Sequence, residues 1–360
     1  MRVAVLLSGG VDSSVALALL KSQGYEVVAF YLKIWLEDEV AFLGNCPWDE
    51  DLKWVRAVCE KLGVEFHAIS LQKEYWNEVV SYAISELQAG RTPNPDMLCN
   101  QKIKFGKFYE RLSVWCRENS VDQFDKVASG HYAKVEEQDG VFYLKMAPDP
   151  VKDQTYFLAH LNQEQLSKAL FPISEYSKDE VRQLAKKFDL PNQDRKDSQG
   201  VCFLGKIKFR EFIKFNLGEK KGDFVEFETG KKVGEHNGFW FYTLGQRRDL
   251  RVDNGPWFVV KKDAEKNVVY ISRSYFEEDK LRDTFRVAEM NWISGVPVNF
   301  DDLQVKIRHG EHLYRAQLSD FSADKKSFAV KIDQQDQGLA PGQFGVFYEN
   351  GVCLGGGKIV

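Results

Sequence analysis

The segment RVAVLLSGGVDSSVALALL, residues 2–20, constrains this chain more than any other. RVAVLLS at 2–8 is a short, nearly unbroken apolar run, as a strand buried on both faces requires. Residues 13–21 carry Val15, Ala16, Leu19 and Leu20 at helical spacing, and Gly24 is placed to end that helix. A strand at 26–35, a helix with Leu52, Val55, Cys59 and Leu62 on one side, and a strand at 65–71 follow. Two successive crossovers of this kind predict a parallel sheet with helices on its faces. KVASGHY at 126–132 reads as a further buried strand, and 75–118 as mostly helical apart from a proline-containing loop at 91–100.

After about residue 205 the pattern changes to short alternating runs such as DFVEFET, GFWFYTL, NVVYIS and SFAVKID, separated by turn residues. That spacing is typical of antiparallel sheets and small barrels. The expected architecture is an α/β parallel-sheet domain at 1–205, a small β-rich domain at 206–282 and a second at 283–360, the last an antiparallel β-barrel. A chain of 360 residues exceeds one ordinary core, in keeping with several domains.

No apolar run approaches the ~20 residues of a membrane span. Asp12 interrupts the apolar N-terminal stretch, and no small-residue cleavage site follows, so a secretion signal is not expected. The six cysteines form no C-x-x-C pair, which disfavours a zinc ribbon and a disulfide framework and fits a reducing compartment. The net charge of −4 does not announce a nucleic-acid binder, but binding follows local patches.

The loop SGGVDSS lies between a strand and a helix, where glycines allow close backbone approach and a helix N-terminus offers unpaired N–H groups to an anion. Ser8, Ser13 and Ser14 add hydroxyl groups, while Asp12 can cap the helix or help to hold a magnesium ion. There is no lysine of the Walker A kind and no dinucleotide fingerprint. The loop resembles the pyrophosphate loop of the PP-loop ATPases, the adenine nucleotide alpha hydrolase-like fold. That resemblance implies cleavage of ATP to AMP and pyrophosphate, with adenylation of a carbonyl oxygen.

GRTPNPDMLCNQKIKF at 90–105 presents Asp96 and Cys99 three residues apart, one helical turn, after two prolines that impose a rigid loop. RKDSQGVCFLG at 195–205 presents Cys202 beside a glycine. The other cysteines, at 46, 59, 116 and 353, read as small buried apolar residues. In order along the chain stand SGGVDSS, TPNPDMLCNQKIKF, SGHYA, KDQTYFL, KDSQGVCFLG, YTLGQRRDL and PGQF…GVCLGGG. This series closely resembles the tRNA-specific 2-thiouridylases over essentially the full chain.

The resemblance implies that Cys202 carries a persulfide, that Cys99 is its partner nucleophile, that the two finish as a disulfide, and that Asp96 is the acid/base group. It implies a tRNA-uridine 2-sulfurtransferase acting on the wobble uridine of tRNAs for Lys, Glu and Gln. Nucleotide contacts fall on Leu6, Leu7, Ser8, Gly9, Gly10, Val11, Asp12, Ser13, Leu32 and Gly130. Contacts with tRNA fall on Asn94, Pro95 and Asp96 at the extruded base, and on His131, Lys152, Asp153, Gln154, Arg308, His309 and Gln343. At 31–35 the chain reads Y-L-K-I-W where F-M-K-N-W is commoner, so a side-chain contact from Leu32 or Ile34 is not expected. ATP with Mg2+, a persulfide-donating sulfur carrier protein and a monomeric state complete the expectation. So does a bacterial cytoplasm, or a plastid or mitochondrion after removal of a transit peptide.

Two basic runs, 205–221 and 245–251, are candidate RNA surfaces. Two alternatives stand beside this reading: another adenylating ligase of the PP-loop type, which needs no paired thiols, and a non-catalytic tRNA-binding protein. An iron–sulfur cluster on three cysteines is disfavoured, because only Cys99 and Cys202 stand in functional motifs.

Overall fold

The computed structural model describes residues 1–34, 49–196, 209–274, 282–296, 302–336 and 338–360. Strands β1 (Arg2–Leu6), β2 (Glu26–Lys33), β3 (Glu65–Ser70) and β4 (Lys126–Ala128) lie parallel. After a hairpin, β5 (Ala133–Gln138) and β6 (Val141–Met146), the strand β7 (Ala169–Leu170) joins them in the order β3–β2–β1–β4–β7. Val3, Ala4, Val5 and Phe30 have no accessible surface, as central strands covered on both faces demand. Helix α1 (Val11–Ser22) is buried nearly all round. Its Leu17 and Leu20 pack on the sheet, while Val15, Ala16 and Leu19 meet Val181 and Ala185 of a later helix. The helix α2 (Asp49–Leu62) turns only Val55, Val58 and Cys59 inward.

The strand order reverses at β1, which has β2 on one side and β4 on the other. In an open parallel sheet such a reversal leaves a crevice beyond the C-terminal strand ends, where ligands bind. The glycine loop that follows β1 and the Ser-Gly-His turn that follows β4 both open there.

Helix α3 covers 72–88 with a π turn at Trp76–Val80, and helix α4 covers 95–118 with a nine-residue π segment at Cys99–Lys107. The loop expected at 91–100 therefore stops at Asn94. Pro95 begins the helix without losing a hydrogen bond, since first-turn N–H groups have no intrahelical partner. Asn94 caps the helix, its Oδ1 accepting from the Met97 N–H at 3.4 Å. The π segment depends on Gly106, where a Cβ would lie 2.8 Å from the Gln101 carbonyl. The Gln165 side-chain amide donates to the Gln101 and Phe105 carbonyls at 2.8 Å each.

A further helix, α5 (Lys178–Lys187), has a reciprocal cap between Ser177 and Glu180. The central part opens with α6 (Phe209–Leu217) and carries β8 (Gly222–Glu226), β9 (Lys232–His236), β10 (Phe258–Asp263) and β11 (Val268–Ser272). Their order is β10–β11–β8–β9, with β11 parallel to β8, which departs from an all-antiparallel reading. GFWFYTL is a 3-10 turn at Phe239–Phe241 and not a strand. Gly238 at φ 135° lets Trp240 fold back onto it, so close that a Cβ would sit 2.6 Å from the indole.

Strands β12 (Arg282–Trp292), β13 (Gln304–Lys306), β14 (Tyr314–Ser319), β15 (Phe328–Asp336), β16 (Phe344–Glu349) and β17 (Val352–Ile359) form an antiparallel barrel, closed by β12 on β17. The β5–β6 hairpin extends this barrel's sheet, Lys145 facing Val352 and Leu144 facing Cys353. Part of the first 205 residues is thus built into the C-terminal sheet.

Candidate active site

Beyond β1, Gly9 takes φ +79° and Gly10 stands at the N-terminus of α1. The Ser8 N–H donates to Ser13 Oγ at 3.3 Å, and the Ser13 and Ser14 hydroxyls donate to the Gly10 carbonyl at 3.1 and 2.9 Å. From outside, Asn192 Nδ2 donates to the Gly9 carbonyl and to Ser14 Oγ, at 2.8 and 2.9 Å. Arg195 donates to the same Gly9 carbonyl at 2.9 Å and pairs with Asp51. The loop's carbonyls are thereby bound on one side, and the N-terminal end of α1 faces the crevice with its positive dipole. Gly130 closes the opposite wall: a Cβ there would lie 2.6 Å from the Ser13 nitrogen. Only a residue without a side chain keeps that gap open. Leu6, Leu7 and Val11 are buried and support the loop from beneath, and Leu32 is partly buried near the end of β2.

Asp12 does not cap α1. Its carboxylate accepts from Lys178 Nζ at 2.7 and 2.9 Å and from the Tyr132 hydroxyl at 2.9 Å. The cradle therefore holds an ammonium group after all, delivered by the first turn of α5 and not by the loop itself.

Asp96 lies in the first turn of α4, and Cys99, with 2% of its surface exposed, begins the π segment. One helical turn separates them, so they share a face. Cys202 and Cys46 lie outside the described residues, as do Lys206 and Lys208 of the basic run. The Cys99–Cys202 pairing thus has one end among the described residues.

The remaining candidates fall into two groups. Asn94, Pro95 and Gln343 belong to one junction, where Gln343 Nε2 donates to the Thr92 and Pro93 carbonyls at 3.1 and 3.2 Å. Lys152, Asp153, Gln154, Arg308 and His309 form another, where a loop of the first domain meets the barrel. There Asp153 is wholly buried against Lys306, so its side chain offers no surface to a ligand. Gln154 accepts from the Tyr132 N–H at 3.0 Å. Arg308 forms a fork with both Asp336 oxygens at 2.7 Å, and His309 lies against Phe157 with ring centres 4.6 Å apart. His131 Nδ1 is 2.7 Å from Ser129 Oγ. Burial first, and then the Lys104 ammonium, holds its pKa well below the ordinary histidine value, so the ring is neutral.

Residues 1–206 match the family described as the HUP domain of tRNA methyl transferase, 210–273 its PRC-barrel domain, and 282–359 the aminomethyltransferase beta-barrel domain. The tRNA-specific 2-thiouridylase MnmA 1 of Bacteroides thetaiotaomicron is 44% identical, over 100% of this chain and 99% of its own. The MnmA proteins of Parabacteroides distasonis and Porphyromonas gingivalis are 43% and 42% identical, again over 100% of this chain and 99% of theirs. The chain belongs to the tRNA-specific 2-thiouridylase family. In this 2-thiouridylase the cradle beyond β1 and the Asp96–Cys99 turn both lie within residues 1–206, matched to the first of the three domains.

Sequence reasoning missed four groups that shape this 2-thiouridylase site: Lys178, Tyr132, Asn192 and Arg195. The S-x-x-E signature at 177–180 does mark a helix N-terminus, and hence the place of Lys178. Tyr132 and Arg195 stand inside SGHYA and RKDSQGVCFLG, while no local pattern marks Asn192; all three reach the loop from 120 to 186 positions away.

Proposed function

We propose that this chain thiolates the 2-position of the wobble uridine in tRNAs for Lys, Glu and Gln, consuming ATP. The observation that carries the reading is the cradle at the strand-order reversal, with Gly130 against Ser13 and Lys178 beside Asp12. Such a site binds phosphates by backbone N–H groups, hydroxyls and one ammonium. Asp12, which here pairs with Lys178, would be the carboxylate to hold a magnesium ion entering with the nucleotide. A three-part division at 1–205, 206–282 and 283–360 assigns nucleotide chemistry to the first part and RNA contacts to all three.

A pyrimidine carbonyl oxygen leaves only after it becomes a phosphate ester. Transfer of AMP to that oxygen releases pyrophosphate. The terminal sulfur of a persulfide on Cys202 then bonds to C2, and AMP departs with the oxygen. The Cys99 thiolate attacks the Cys202 sulfur, which breaks the S–S bond and frees the thiolated base. Alternatively, Cys99 first discharges the persulfide as hydrosulfide, which attacks C2. Either order leaves a Cys99–Cys202 disulfide, and an external dithiol must reduce it. A sulfur carrier protein supplies the persulfide. Asp96 handles the proton at the uracil edge.

Incubation with ATP, transcribed tRNA, a persulfide donor and a dithiol reductant, followed by nucleoside analysis, tests this. The parent chain forms 2-thiouridine, and Cys202→Ala and Cys99→Ala do not. Full activity of Cys99→Ser would instead support an adenylating ligase without thiol chemistry. Binding of tRNA without release of pyrophosphate would support a non-catalytic RNA-binding role.

A further inference from the structure

Four residues, 91–94, lead into the helix turn that carries Asp96 and Cys99; Thr92 and Pro93 bond directly to the C-terminal barrel, and Arg91 and Asn94 reach it through Glu86 and Tyr156. Glu86 of α3 is 4% exposed at its side chain, and its carboxylate takes Arg91 at 2.6 and 2.7 Å and Lys358 of β17 at 2.7 Å. Thr92 donates its N–H to the Pro341 carbonyl at 2.9 Å. The carbonyls of Thr92 and Pro93 both receive the Gln343 amide. Asn94 Nδ2 is 3.5 Å from the Tyr156 hydroxyl, which itself donates to the Phe344 carbonyl at 3.1 Å.

The contact is tight. Gly342 has φ +91°, and a Cβ there would lie 2.8 Å from the Thr92 carbonyl oxygen and 2.9 Å from Arg91 Cβ. A buried carboxylate with two cations is a rigid joint, because separating the partners leaves a charge without solvent. Burial works to raise the Glu86 pKa, and the Arg91 and Lys358 hydrogen bonds overcome it, so the group stays ionised.

We propose that Glu86 and Lys358 are positioning residues for sulfur transfer: they clamp the 91–94 loop to the barrel and so set Asp96 and Cys99 against the base. The barrel thus takes part in the chemical step and does not only bind RNA. This rests on the thiolation reading given above. Its physical basis is that a displacement of about 1 Å at a reacting group can cost ~100-fold in rate.

The test uses the full chain and its Lys358→Met, Lys358→Arg and Gly342→Ala variants, each checked for native circular dichroism. Single-turnover thiolation at saturating ATP and tRNA is measured beside tRNA affinity and the alkylation rate of Cys99, the last by peptide mass spectrometry. Lys358→Met and Gly342→Ala are expected to lower the single-turnover rate by about ten-fold or more and to alter Cys99 alkylation, with tRNA affinity changed less than about two-fold. Lys358→Arg, which keeps the charge at Glu86, restores most of the rate. If the parent forms no thiouridine, the functional reading fails. If the parent is active and both variants keep its rate, or lose only tRNA affinity, the clamp has no part in positioning. Should Lys358→Met fail to fold, Gly342→Ala decides alone, since it perturbs the loop without stranding a charge.

Discussion

Lys306 Nζ lies 3.0 Å from Asp153 Oδ2, and neither side chain retains any accessible surface. Asp153 also accepts from the Thr155 hydroxyl at 2.8 and 3.0 Å and from the Ala147 N–H at 3.2 Å. The pair joins the loop before Thr155 to β13 of the barrel. Lys306→Met is expected to destabilise the chain by about 3–5 kcal/mol, because it leaves Asp153 buried without its cation. Adding Asp153→Asn should recover much of that loss, a coupling that urea unfolding of the two single variants and the double variant would measure.

At the nucleotide end, Gly130→Ala puts a methyl group 2.6 Å from the Ser13 nitrogen. The backbone at the start of α1 has no flexible side chain that can yield, so the crevice must widen or the cradle must turn. Pyrophosphate release should show a KM for ATP raised about ten-fold or more, and the unfolding midpoint should fall as well, since overpacking against backbone costs about 1–3 kcal/mol. An unchanged KM would place the phosphates elsewhere.

Cys59, Cys116 and Cys353 are as buried as Cys99 but stand apart from the Asp96 turn. Burial raises the Cys59 thiol to about 12, and it raises those of Cys353 and Cys116 as well. Such thiols are poor nucleophiles near neutral pH. Alanine at 59, 116 or 353 should each cost on the order of 1 kcal/mol of stability and leave thiolation within about two-fold. A variant of this set that lost activity while remaining folded would bring a third thiol into the reaction.

Four histidines tie stability to pH, since burial lowers His131 and His309 as well as His160 and His236. Burial lowers His160 and His236 to about 4, although a backbone hydrogen bond works the other way in each. His236 Nδ1 accepts the Gly238 N–H at 3.0 Å, which only a neutral ring can do. In the unfolded chain these rings take up protons near pH 6.5, while the folded chain resists until about pH 4, so the unfolded state binds more protons in between. Stability is full above about pH 6.5 and falls as the pH drops toward 4, by roughly 1 kcal/mol per unit for each ring. Urea midpoints from pH 7.5 to 4.5 should show this slope, and His236→Gln should reduce it by one ring's share.

Much of the first domain was legible because its strands are buried on both faces and its first helix on nearly every side, so the residue pattern is dictated by contacts within each segment. The turn after β1 was legible for the same local reason. The 90–105 stretch was read one step short: Pro95 looks like a helix breaker, and only the cap from Asn94 turns it into a first helical residue. GFWFYTL alternates well enough for a strand, but Gly238 bends the chain and packs the aromatic groups together. Lys178, Asn192, Arg195 and Lys306 act across the tertiary fold, and no local spacing encodes such meetings.

The outer edge of β6 is covered by a strand that lies some 200 residues downstream, Lys145 opposite Val352. At ~5–20 residues per second, a ribosome needs on the order of ten to forty seconds to deliver that cover. Through this interval the emerging hairpin presents an open row of backbone donors and acceptors, an invitation to pair with a neighbouring nascent chain. Lys134, Glu136 and Lys145, which cross-link on its surface, supply the charge that discourages such pairing while the chain waits.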